Sequence, residues 1–561
     1  MSRSTIWACP APTRAARAKG VPGEMRDSDQ VTVREMLHRA GRWFPKHEAA
    51  VDEGSRYTYA DLLDAARRCA NLYHRLGARK GDRIALMLYP SAIHTVALFG
   101  AFELGALPVA LHVRESAETL ARVVRRLVPT VLVYDAALEE AVARLLQLGS
   151  PVRGILRATS TAPGPERSLL APEAEIPRDL AGASADFEPM PVYEQDPVAI
   201  VLSSGTTGVP KGIIHTNRTF MESARGGVYF WNGIKPSDSI LNSMSTSFIG
   251  WYNLSLPFFN VGAKNVFLPK WDPRKFIEMV ERERVTHAFL VPTMWRMLFK
   301  EGIEGRDLSS VKMAGFAGEI MDPTTLRRIR ERVTPHVINI YGTTETGSCS
   351  GGTILFEEDM GEERLTSVGK PLLNADIRVI RPGGTAADEL PPGESGEVII
   401  RGPSVAAHVW DDPAAARRIF EEPGPWWHSG DMGHLDQEGY LYLEGRIDDM
   451  IISGGINIFP ARVEDVLLAH PQVAECAVVG IPDPVWGQRV MAVVVPRQPG
   501  LTSEELDRFM RESELSDYQR PRIYEFVTEL PRTGTGKIDR RSLRAQYAAR
   551  TAAGERQGEA S

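Results

Sequence analysis

From Val31 onward the chain alternates segments whose apolar residues recur at helical spacing with short apolar runs of the buried-strand type. Residues 59–73 place apolar side chains three and four apart and predict a helix; after a break at Gly81, residues 82–88 predict a buried strand. The same pair recurs as a helix over 117–127 and a strand over 130–134. Repeated helix-strand alternation predicts an α/β fold: a large, multi-layer N-terminal domain of mixed and parallel sheets with helices. Between 150 and 197 the periodicity fades into Pro, Ala, Gly and Glu, which predicts a long surface connection within one folding unit. Residues 197–202 then read again as a buried strand.

A second shift in pattern falls after the alternating strand 439–445, at Arg446-Ile-Asp-Asp-Met450 and Gly454-Gly455. Beyond it a helix (461–469), two strands (474–481 and 489–495) and a helix (503–512) predict a small α+β domain that moves about a hinge near Asp448. The expected organisation is a disordered tail over 1–28, an N-terminal domain over 29–447, a mobile C-terminal domain over 448–545 and a frayed tail over 546–561.

Composition narrows the classes. Of 561 residues, 43% are hydrophobic and 24% charged, enough apolar material for large cores. Lys+Arg 65 against Asp+Glu 72 gives a net charge of −7, which offers no chain-wide attraction for nucleic acid or an anionic membrane surface. Cys9, Cys69, Cys349 and Cys476 are scattered without CxxC spacing, so neither a disulfide framework nor a zinc site is expected and a reducing cytoplasm is the simplest location. The most apolar stretch, 95–113, carries Glu103, Pro108 and His112 and suits a soluble core better than a membrane span.

The strand 197–202 runs directly into Ser203-Ser-Gly-Thr-Thr-Gly-Val-Pro-Lys-Gly212. Glycines let backbone amides approach an anion, hydroxyls add donors and Lys211 adds charge, so the segment reads as a phosphate cradle. It is not a Walker A loop, because no Gly-Lys-Ser/Thr closes a GxxxxG frame and Pro210 opposes a helix beginning at the lysine.

Ser203–Gly212 resembles the signature of the adenylate-forming superfamily, which includes acyl-CoA synthetases, adenylation domains of peptide synthetases and firefly-type luciferases. Four further motifs follow in that family's order: Tyr341-Gly-Thr-Thr-Glu345, Trp427-His-Ser-Gly-Asp431, Gly445-Arg-Ile-Asp-Asp-Met450, and Pro531-Arg-Thr-Gly-Thr-Gly-Lys-Ile-Asp539. The resemblance implies an acid–thiol ligase using ATP, Mg2+ and CoA. It implies that Ser203, Ser204, Gly205, Thr206, Thr207, Gly208, Lys211, Gly318, Glu319, Tyr341, Gly342 and Thr343 line the nucleotide. Thr344 matches the family's α-phosphate hydroxyl, Glu345 its magnesium carboxylate with Thr206 beside it, Asp431 its ribose acceptor and Arg446 that acceptor's companion. Tyr341 matches the adenine-stacking residue, although a Tyr at a strand end is equally a core residue. Trp426 and Trp427 read as packing residues.

Lys537 matches the lysine that bridges carboxylate and α-phosphate, and at an ordinary pKa of about 10.4 it is cationic at neutral pH. Asp448 matches the family hinge, while Asp449 is equally a solvated neighbour. Gly454 and Gly455 fit the passage of a pantetheine arm and fit a hairpin turn equally well. Completeness of the hinge, glycine and lysine motifs favours CoA as acceptor over the pantetheine of a separate carrier protein. The oligomeric state is left open.

For the acid, the resemblance supplies exclusions. Gly342 stands where acetate- and propionate-activating relatives place a tryptophan, so a larger acid is implied. The stretch 243–253 has no aspartate to pair an amino acid's ammonium group. Ser247 and Phe248 stand where many relatives carry an aromatic–histidine pair. Trp251 either walls the pocket or packs behind it, and Phe316 and Ala317 are equally lining or core. A medium-to-long aliphatic acid is expected, with an aromatic acid as the alternative.

Overall fold

The computed structural model describes residues 31–160, 168, 170–203, 210–318, 321–347, 352–361, 364–406, 408–412, 416, 420–421, 426–513, 515–532 and 538–558. The first layer is a five-stranded parallel sheet in the order Leu107–Ala110, Arg83–Met87, Val131–Asp135, Gly154–Ala158, Ala174–Ile176. Its helices start where the sequence supplies caps. Thr58 and Asp61 form a reciprocal capping box for Tyr59–Arg75, and the Ser91 and Ser116 hydroxyls accept third-residue amides for Ala92–Leu104 and Ala117–Leu127. Ala92–Leu104 is buried all round and ends on Gly105 at φ 72°, which accounts for the apolar 95–113 stretch as core. No helix among the described residues is long and apolar enough to cross a membrane.

The strands Gly154–Ala158 and Ala174–Ile176 correct the reading of 150–197 as a surface connection. Arg157 hides the first of them: a cation at its fourth position breaks the apolar pattern, yet its side chain is buried between Glu139 and Glu175. Paired in this way, an arginine is tolerated in a sheet interior.

A 14-stranded sheet forms the second layer. Glu48–Val51, Lys264–Phe267, Ser239–Asn242, His287–Phe289, Met313–Ala317 and Val337–Tyr341 are adjacent and parallel. Thr353–Leu355, Ser367–Pro371, Leu441–Arg446, Trp426–Leu435, Gly396–Arg401 and Asp376–Ile380 continue it antiparallel. A third, antiparallel sheet joins Pro197–Ser203, Lys211–Thr216 and His408–Val409. Trp426 and Trp427 are buried, as expected of packing residues.

Helices Asn217–Phe230 and Ile249–Val261 cross at Gly227, where a Cβ would lie 2.2 Å from Pro257 Cγ. A proline ring inside a helix cannot retreat, so the glycine sets the approach of the two helices. Gly227→Ala is expected to cost about 2 kcal/mol, read as a lower midpoint in denaturant at unchanged slope. An unchanged midpoint would show that the two helices separate freely.

The smaller C-terminal domain is a five-stranded sheet, Ile456–Ile458, Ile451–Ser453, Gly487–Pro496 and Val473–Asp483, with Ile523–Phe526 parallel to Gly487–Pro496. Helices Pro460–Leu468, Ser503–Arg511 and Arg540–Gly558 accompany it. The last runs helically through most of the stretch expected to fray. Cys69 and Cys476 are free and buried, and burial pushes the Cys69 thiol up to about 12. Cys9 and Cys349 lie outside the described residues.

Candidate active site

Ligands of α/β sheets bind outside the carboxyl ends of the parallel strands. The parallel run ends here with Met313–Ala317 and Val337–Tyr341, since the next strand, Thr353–Leu355, runs the other way. Gly318, at φ 86°, follows the first strand, and Tyr341 ends the second. Gly342, Thr343, Thr344 and Glu345 follow as a half-buried turn.

The Tyr341 hydroxyl donates to Asp431 Oδ2 at 2.6 Å, and Arg446 Nη1 donates to Asp431 Oδ1 at 2.7 Å. The pairing is built into the sheet, since Asp431 and Arg446 are register partners on neighbouring antiparallel strands. Asp431 is 7% exposed. Burial raises the Tyr341 phenol well above its ordinary value and the neighbouring Asp431 charge adds to it, so the tyrosine stays a neutral donor. For Arg446 burial pulls downward, but the charge and hydrogen bond of Asp431 more than offset it and the net shift is upward.

Glu345 is held differently. Burial raises its carboxyl above the usual range, opposed by hydrogen bonding from its own backbone and by the Arg446 charge. A half-buried carboxylate that follows two threonines suits a hard cation, which takes oxygen ligands and often only one or two carboxylates. The described residues hold no cluster of three or more His, Cys, Asp or Glu that would bind a metal by itself. Glu345 fits Mg2+ in company with phosphate oxygens.

The backbone beneath this carboxylate is tied down. The carbonyls of Thr344, Glu345, Thr346 and Gly347 accept from His215 Nε2 (2.9 Å), Ala406 N (2.7 Å), Ser404 Oγ (2.7 Å) and Ser223 Oγ (2.6 Å). None of these donors stands in a recognised motif. Only the position of His215, four residues past Lys211 in a strand of apolar neighbours, gave any sequence signal.

Ser203 and Lys211 face each other as register partners in an antiparallel pair, so the strand beginning at Lys211 rules out a helix there. Ser204, Gly205, Thr206, Thr207, Gly208, Glu319 and Lys537 lie outside the described residues. On either side of Lys537's run, Arg532 bridges Ile538, the Asp539 amide donates to Pro531 O at 2.8 Å, and Arg540 pairs with Glu464 at 2.6 Å.

Other sequence candidates are dispersed. Trp251 is fully enclosed against His94, Tyr252 and Phe267, which is the packing-behind alternative, not the wall. Phe316 is buried in a core with Leu290 and Trp295, while Ala317 is half-buried on the opposite face of its strand. Ser247 is buried with its hydroxyl 3.0 Å from that of Ser245, and Phe248 sits half-buried with its ring 5.3 Å from His112. Gly454 and Gly455, at φ 58° and 81°, form the two-residue turn joining Ile451–Ser453 to Ile456–Ile458. A Cβ on Gly454 would also lie 2.7 Å from the Trp486 ring. The Asp448 carbonyl accepts from Arg544 Nη1 at 3.0 Å, and Arg544 Nη2 reaches Asp449 Oδ1 at 3.2 Å, so Asp449 has an ion-pair partner.

Residues 37–410 match the family model described as AMP-binding enzyme, and residues 462–537 match AMP-binding enzyme C-terminal domain. The long-chain-fatty-acid–CoA ligase FadD13 of Mycobacterium tuberculosis is 31% identical, covering 92% of this chain and 98% of that protein. A feruloyl-CoA synthase of Amycolatopsis is also 31% identical, covering 91% and 98%. Among solved structures, the o-succinylbenzoate CoA synthetase of Bacillus subtilis in complex with its acyl-adenylate intermediate superposes with a TM-score of 0.78 at 26% identity, covering 91% of this chain and 97% of that one.

Proposed function

The chain belongs to the AMP-binding enzyme family, and from that premise we propose that it is an acid–CoA ligase acting in two steps. A carboxylate oxygen attacks the α-phosphorus of ATP, the bond to the β-phosphate bridging oxygen breaks, and pyrophosphate leaves. The CoA thiolate then attacks the acyl carbon and AMP leaves, the thiol proton passing to solvent.

The observation that carries the reading is the Tyr341–Asp431–Arg446 cluster at the sheet's carboxyl edge, beside the half-buried Glu345. Each Asp431 oxygen accepts one protein donor and keeps a lone pair, so the carboxylate accepts both ribose hydroxyls without giving up its neighbours. Tyr341, held by its hydroxyl, offers its ring to adenine. Thr344 and Lys211 donate to phosphate oxygens and Glu345 holds Mg2+, which when bound offsets charge on the triphosphate. Lys537 draws the acid carboxylate against the α-phosphate. The C-terminal domain turns at Asp448 to bring the Gly454–Gly455 turn to the acyl carbon for the second step.

For the acid we propose a medium-to-long aliphatic chain. Gly342 leaves its position unblocked, the stretch 243–253 offers no carboxylate to an ammonium group, and the relative from M. tuberculosis is named for a long-chain fatty acid. ATP–pyrophosphate exchange across aliphatic acids of increasing length and aromatic acids, followed by CoA and thioester detection, tests this. Exchange should peak among the longer aliphatic acids and thioester should accumulate. A peak among aromatic acids would transfer the assignment to them, and absence of exchange with every acid would defeat the enzyme reading.

A further inference from the structure

His215 is fully buried and bonded at both ring nitrogens, Nε2 at 2.9 Å from the Thr344 carbonyl oxygen and Nδ1 at 3.3 Å from Thr219 Oγ1. A carbonyl only accepts, so Nε2 carries the hydrogen and Nδ1 keeps a lone pair facing the Thr219 hydroxyl, whose single hydrogen also lies 3.0 Å donor-to-acceptor from the Thr216 carbonyl. Burial pulls its pKa down to about 4, so the ring is neutral at neutral pH and has one N–H to give. Its orientation is fixed by packing as well. The ring lies 5.0 Å from Phe220, which in turn lies 4.9 Å from Tyr252.

The direction of this one N–H matters because a peptide unit is planar. Fixing the Thr344 carbonyl fixes the plane that contains the amide nitrogen and Cα of Glu345. The next plane is fixed by Ala406 N at 2.7 Å from the Glu345 carbonyl. With both planes set, the backbone angles at Glu345 are determined, and with them the root of its side chain.

We propose that His215 is a positioning residue for adenylation: its Nε2–H holds the peptide plane between Thr344 and Glu345 so that hydroxyl and carboxylate meet the magnesium–triphosphate together, and it has no part in thiol transfer. The inference rests on the nucleotide site proposed above.

Three variants separate the bond from the fold. His215→Gln returns an amide nitrogen to the ε position and keeps a donor for Thr344. His215→Asn ends at the δ position and loses it, and His215→Phe keeps the ring without either bond. For each, magnesium–ATP binding is measured by titration calorimetry without acid, pyrophosphate exchange with the best acid, and thioester formation from supplied acyl-adenylate and CoA. His215→Asn and His215→Phe should bind magnesium–ATP and exchange pyrophosphate about tenfold more weakly, with the thioester step within about twofold of wild type. His215→Gln should recover most of both losses.

The inference is overturned if His215→Gln is as impaired as His215→Asn, if the thioester step falls in parallel with exchange, or if magnesium–ATP binding is unmoved. It is overturned as well if His215→Asn and His215→Phe both lose a cooperative thermal transition, which would make His215 a core residue alone. A wild-type enzyme that neither binds ATP nor exchanges pyrophosphate would instead defeat the nucleotide site itself.

Discussion

Lys537→Ala is expected to slow adenylation roughly a thousandfold while leaving thioester formation from supplied acyl-adenylate within about twofold of wild type. The first half-reaction brings a carboxylate against a triphosphate, and the charge that gathers at the α-phosphate in the transition state must be met by a cation there. An alanine meets none of it. In the second half-reaction the acyl group is already on phosphate and the attacking group is a thiol, so that cation has no part. On either side of the lysine's run Arg532 bridges Ile538, and Asp539 caps the helix that follows by accepting the Ser542 amide at 3.0 Å. Single-turnover assays of the two halves decide the matter, and an equal loss in both would remove the lysine from this role.

Asp431→Ala should raise the KM for ATP roughly hundredfold and leave the KM for CoA unchanged. The substitution removes the acceptor proposed for two ribose hydroxyls and also releases Tyr341 and Arg446, whose donors both end on it. Its cost to the fold should be about 1–3 kcal/mol: the Arg446 side chain is 50% exposed and turns to water, but the Tyr341 hydroxyl loses its acceptor. Steady-state kinetics with each substrate varied, together with the thermal midpoint, separates the two effects. A large fall in midpoint with an unchanged ATP KM would make Asp431 a structural residue.

Legibility in the sequence followed the range of the interaction. Helix 117–127 was readable because its cap, Ser116, and its apolar stripe are local. The strand Gly154–Ala158 was not, because what licenses Arg157 inside a sheet is a pair of glutamates on other elements, Glu139 and Glu175. The site divides the same way. Tyr341, Glu345, Asp431 and Arg446 stood out by motif, and their side chains lie together. His215, Ser223, Ser404 and Ala406 act on backbone carbonyls far along the chain, His215 from 129 residues away, and a carbonyl is present in every residue, so no residue pattern announces that partnership. The two glycines at 454 and 455 were legible only as alternatives: the turn's positive φ angles favour glycine at both, and the Trp486 ring leaves no room for a side chain at 454, whatever passes beside them.

The four tied carbonyls over 344–347 bear on when the molecule loses entropy. A free loop at this place would give up its backbone freedom at the moment nucleotide arrives, about 1–2 kcal/mol per residue taken from affinity. Here that freedom is surrendered as the chain folds, so ligand meets a surface already ordered. Affinity and stability therefore share the same hydrogen bonds, and substitutions that loosen Ser223, Ser404 or His215 should register both as weaker ATP binding, with a larger entropic penalty, and as a lower thermal midpoint.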